Sequence, residues 1–124
     1  PEDYDKVEYV EQLQESCVEA YTGIVQGMRN SNEELNLVAQ HVPAILALVN
    51  TVATSNSPES LIGAASGLVG DLITAFGGSI LSSIDTQEIS AMLTRGRRSK
   101  STRTKSLAVW ATKEIRKLKA APNS

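Results

Sequence analysis

ESLIGAASGLVGDLITAF, residues 59–76, is an apolar stretch with one internal charge, Asp71, and glycines at 63, 67 and 70. At about 100° per residue, Leu61, Ala65, Leu68, Leu72 and Phe76 share one helical arc. The glycines and Thr74 share the opposite arc. Each glycine costs a helix about 1 kcal/mol relative to alanine. A row of them on one face therefore marks close approach by another chain segment or a ligand. The Gly-xxx-Gly spacing also suits a membrane dimerisation helix, but Asp71 and the shortness of the stretch argue against that.

Working outward, the pattern predicts only helices. A first helix is expected from about Asp3 to Met28, with Val10, Leu13, Cys17, Ala20, Tyr21, Ile24 and Met28 on its core arc and Glu8, Gln12, Glu15, Glu19, Thr22 and Gln26 nearly opposite. RNSNE, residues 29–33, ends it. A second helix is expected over roughly residues 33–53, kinked or split at Pro43. Ser57-Pro58-Glu59 starts the third, with proline in the first turn. Gly77-Gly78 stops it. SILSSI reads as a short turn before a fourth helix, capped by Asp85 or Thr86 and running to about Arg97. A basic link, residues 95–105, leads to a last helix at about 104–120. Its apolar arc is Leu107, Ala108, Ala111, Ile115 and Leu118. Trp110, the only tryptophan, falls at the border of that arc beside Arg103, Ser106, Lys113 and Lys117.

Composition agrees with packed helices. Aromatics are 4%, so the core is built from Leu, Ile, Val and Ala. One cysteine makes no internal disulfide, which points to a reducing compartment, and no signal-peptide core is visible. The expectation is a soluble, intracellular protein, and the charged, helical start at Pro1 suggests a piece of a longer one. The net charge of −2 hides an asymmetry. Residues 1–60 hold ten acids and two bases, a balance of −8; residues 61–124 hold four acids and ten bases, a balance of +6. An acidic half of this kind is either a solvated face or a surface for a basic partner.

CVEAYTGIVQG, AASGLVGDLITAFG and SLAVWATKEIRKL recur at spacings of about 46 and 42 residues, the period of two-helix HEAT and armadillo repeats. The expected fold is all-α, antiparallel helix pairs stacked as an α-solenoid of about two and a half HEAT repeats. Residues 1–29 would be the second helix of a truncated repeat, 30–77 the penultimate repeat, 78–121 the last repeat, and 122–124 a disordered tail.

DYDKVEYV, SC.EAYTGIVQG, GL.GDL.TAFG, GRRSK and WATKE.RKLK resemble the C-terminal end of the importin β (karyopherin β) family of nuclear import receptors. The resemblance covers most of residues 3–119 and is weakest over 30–60. It implies a HEAT superhelix that carries cargo through nuclear pores. The second helix of each repeat would line the concave face and help bind the basic importin-β-binding helix of importin α, or other basic cargo. Ran-GTP and FG nucleoporins would be engaged by other parts of the parent protein. The implied location is cytoplasm and nucleus, with the nuclear envelope and pore.

On that resemblance the candidate partner-binding residues are Trp110, Glu8, Glu15, Glu19 and Asp71. The three glutamates form a carboxylate stripe suited to Lys and Arg. Trp110 would pack on cationic stems. Asp71 either meets the ligand or joins polar contacts between repeats. The glycine row lets a ligand helix or the adjoining repeat come close.

No catalytic or metal site is expected, nor a cofactor or membrane segment. Cys17 reads as an inert core thiol, and His41 has no second ligand at metal-site spacing. Two other classes stay open: a basic helical module binding nucleic acid through RGRRSKSTRTK, against which the acidic half argues, and a purely structural helical-repeat scaffold.

Overall fold

The computed structural model describes residues 2–28, 36 and 38–121, with side chains of the first helix from Lys6 to Gly27. The elements are α1 (Glu2–Met28), α2 (Val42–Thr54), α3 (Glu59–Phe76), α4 (Gly78–Ile84), α5 (Gln87–Arg97) and α6 (Thr102–Ala120). Among the described residues there is no strand. The expected RNSNE break, the start of the expected second helix and the 122–124 tail lie outside the described residues.

α3 is the centre of the molecule. Twelve of its residues are buried, from Leu61 to Ile73, and it packs on every other helix named above. By length and composition it could cross a membrane, yet 72% of it is buried inside the fold. A helix apolar on all sides is what a helix surrounded by others requires. Leu61, Ala65, Leu68 and Leu72 are completely buried, as the periodicity predicts.

Local chemistry sets the helix ends. The chain splits at Pro43, which sits in the first turn of α2, where a missing N–H costs nothing. Gly77 adopts φ 61° and donates its N–H to Ile73 O at 2.8 Å, which stops α3. Thr86 caps α5 by accepting from Ile89 N, and Ser101 caps α6 by accepting from Thr104 N. SILSSI is not a turn: it forms α4, because Ile80 and Ile84, one turn apart, both reach the core. The basic link is also shorter than expected. Residues 95–97 end α5 and 102–105 begin α6, leaving four residues between them.

Two of its arginines are structural. Arg95 donates to Ala53 O at 2.7 Å and Ser55 O at 3.5 Å, so it closes the C-terminus of α2. Arg97 donates to Thr112 Oγ1 at 2.7 Å and Thr94 Oγ1 at 3.1 Å, tying α5 to α6. α5 also crosses α6 closely at Gly96, where a Cβ would stand 2.7 Å from Ala108 Cβ.

α1 corrects the wheel. Among its described side chains the buried ones are Val18 and Val25, with Tyr21 half-buried against the core. The predicted core residues Val10, Leu13, Cys17, Ala20 and Ile24 are exposed; Val10 is 49% and Leu13 52% open. Cys17 is therefore no core thiol. α1 carries two apolar arcs, and only the one centred roughly a quarter turn from the expected arc faces α3.

Candidate partner-binding groove

Three long helices lie side by side and run the same way. From α1 to α3, Gln26 Nε2 donates to Asp71 Oδ2 at 2.9 Å, and residues near Gln12 sit beside Pro58 and Ser60. From α3 to α6, Thr104 Oγ1 donates to Glu59 O at 2.9 Å, Gly67 meets Leu107, and Gly70 meets Trp110. Residue numbers rise together across each seam, so α1, α3 and α6 are parallel. The intervening α2, α4 and α5 carry the chain back. Parallel neighbours with short returning helices are the geometry of stacked helix pairs.

The glycine row now has its cause. A Cβ at Gly63 would lie 2.6 Å from Thr104 Oγ1 and 3.1 Å from Thr104 Cα. One at Gly67 would lie 3.3 Å from Leu107 Cδ2, and one at Gly70 would overlap the six-membered ring of Trp110. The close neighbour is α6, the next long helix of the same chain. The absence of side chains on that face of α3 lets α6 settle onto its backbone.

A hollow of about 560 Å³ opens over this seam. Gly67 and Asp71 of α3 lie at its floor. Glu19, Thr22, Gly23 and Gln26 line the α1 side, and Arg103, Leu107 and Trp110 the α6 side. Trp110 is half-buried: one part of the indole is seated on Gly70 and the remainder is accessible. A second hollow, about 350 Å³, continues along the α1–α3 seam towards the helix N-termini. Its lining includes Glu8, Glu11 and Glu15 beside Pro58 and Ser60.

The sequence-predicted residues thus divide. Glu19, Asp71 and Trp110 meet in one hollow, while Glu8 and Glu15 line the adjoining one. Asp71 is only 3% exposed and is held by Gln26, so it joins neighbouring long helices through a polar contact. Four contributors escaped the sequence reading of the site. Glu11 falls between the expected stripe and the core. Gln26 reads from sequence only as part of the polar face. Arg103 falls beside Trp110 on the wheel, which assigns it no role. Gly70 appeared in the glycine row without a partner. Among the described residues, no three His, Cys, Asp or Glu side chains gather as a metal set.

The arrangement suits an elongated cationic partner. Carboxylates line one wall over several turns, and an aromatic face offers apolar contact for alkyl stems. The exposed apolar arc of α1 points roughly opposite to the groove on the helix wheel, so the groove and that arc are separate surfaces.

A sequence profile described as "Importin subunit beta-1-like, TPR repeats" matches residues 1–97. Over 117 residues the chain is 36% identical to importin subunit beta-1 of Schizosaccharomyces pombe, a match covering 92% of this chain and 13% of that protein. Its fold is similar to the crystal structure of importin β in an ammonium sulfate condition, with a TM-score of 0.88 and 31% identity over 95% of this chain. The match covers 14% of that chain, so the present sequence spans a small part of the length of these relatives. TPR and HEAT repeats alike are helix pairs stacked on their neighbours.

Proposed function

The chain belongs to the importin subunit beta-1-like family, and from that premise we propose that it forms part of a nuclear transport receptor in which α1, α3 and α6 help hold a basic helix. The partner is the importin-β-binding segment of importin α or another basic cargo segment. Glu19 and Trp110 contact it in one hollow, and Glu8, Glu11 and Glu15 extend the acidic wall. Asp71 supports the wall through Gln26. The repeats divide at residues 29/30 and 77/78. Ran-GTP and FG nucleoporins act on other parts of the complete protein, which works between cytoplasm and nucleus and at the nuclear pore, as a carrier and not an enzyme.

The observation that carries this proposal is the convergence on one open hollow of Glu19 and Trp110, two residues more than eighty positions apart in sequence. Carboxylates steer a cationic helix and fix its register. A partly buried tryptophan supplies the kind of aromatic anchor that dominates interface energetics. The nucleic-acid alternative loses ground because Arg95 and Arg97 are spent on hydrogen bonds within the fold.

The test is a titration of the complete protein with a Lys/Arg-rich helical peptide, at several salt concentrations, comparing wild type with the Glu15→Gln/Glu19→Gln double variant. The proposal expects weaker binding and a shallower salt dependence in the variant. Equal affinity and equal slope would remove the carboxylates from the site. Salt-dependent binding to duplex DNA instead would transfer the function to the basic residues.

A further inference from the structure

The main hollow is not uniformly acidic. Glu19 stands on its α1 side and Arg103 on its α6 side, with Gly67, Asp71 and Trp110 between or beside them. Both charged side chains are exposed. Among the described residues, neither makes an ion pair or a side-chain hydrogen bond, so the two opposite charges face one groove without closing it. Along the α1 wall the negative charge continues through Glu15, Glu11 and Glu8.

We propose that Arg103 selects the polarity of the partner: the groove takes a helix with Lys or Arg along the edge facing α1 and a carboxylate on the edge facing α6. This rests on reading the groove as a helix-binding site. A uniformly cationic segment would satisfy Glu19 but set a like charge against Arg103. A helix with its apolar or alkyl face over Trp110 presents two flanking edges, roughly 200° apart around its axis. Residues at i, i+4 and i+7 share one edge, and residue i+2 lies on the other. The guanidinium fork gives a carboxylate there a bidentate geometry that lysine lacks.

The experiment compares two synthetic helical peptides binding to the complete protein. Both carry Lys or Arg at i, i+4 and i+7; one has Glu at i+2 and the other has Gln. The Gln peptide is the more cationic, so attraction to an acidic wall alone favours it. The inference expects the reverse: the Glu peptide binds wild type about three- to fivefold more tightly. Arg103→Gln abolishes that preference, and Arg103→Glu reverses it. If wild type binds the Gln peptide equally or better, the polarity rule is overturned while the groove stands. If neither peptide binds, the groove reading falls and takes this inference with it.

Discussion

Trp110 rests on Gly70: a methyl group on that glycine would occupy the space of the indole's six-membered ring. Position 70 therefore governs where the aromatic anchor stands. Gly70→Ala gains about 1 kcal/mol of helix propensity but forces a rigid ring off a buried backbone, and overpacking of that kind costs about 1–3 kcal/mol. The overlap is with ring atoms that cannot fold away, so the steric term wins. We expect Gly70→Ala to lower stability in urea unfolding and to weaken basic-peptide binding. Trp110→Phe in the same background recovers part of the stability, because the smaller ring withdraws from position 70.

Gly27 supplies the opposite sign. It is exposed on α1, and a Cβ there meets nothing within 4 Å. Gly27→Ala should stabilise the protein by roughly 0.5–1 kcal/mol through helix propensity alone, read as a higher urea midpoint with an unchanged slope. A loss of stability would mean that this turn of α1 has a neighbour that the fold described above lacks.

Thr104 joins the start of α6 to the start of α3 through its bond to Glu59 O, and it is 2% exposed. Thr104→Val keeps the shape and removes the donor. The expected cost is about 1 kcal/mol, measured by chemical unfolding, with little change in peptide affinity because the bond lies under the groove and not in it. The same loss of stability with a large loss of affinity would mean that the α3–α6 register sets the site more tightly than packing alone requires.

How much of this was legible in the sequence depended on how many faces each helix buries. α6 buries one face, and its buried residues Thr104, Ala108, Ala111 and Ile115 follow the 3.6-residue period; α3 is buried nearly all round from Leu61 to Ile73, so its apolar arc marked only one of the faces it buries. α1 has two apolar arcs, and periodicity cannot say which one faces α3; Val18 and Val25 take that place while Leu13 and Ile24 stay exposed. α4 was hidden because a seven-residue element with three serines carries too little pattern. The glycine row announced a close neighbour, but only the three-dimensional register identified it as Thr104, Leu107 and Trp110. For the same reason Glu19 and Trp110 could be nominated separately from their helices, while the division of the glutamates between two hollows could not. The link residues Arg95 and Arg97 looked like a solvated basic run; their partners, Ala53 O and Thr112 Oγ1, lie 42 and 15 residues away in sequence.

The central claim is that the groove between α1, α3 and α6 grips a basic helix through Trp110. Its most direct test is the affinity of the complete protein for a Lys/Arg-rich helical peptide, measured by calorimetry, with and without Trp110→Ala, after circular dichroism has established equal helix content. Loss of an aromatic anchor predicts at least about a tenfold fall in affinity. Unchanged affinity in a folded Trp110→Ala protein would contradict the account.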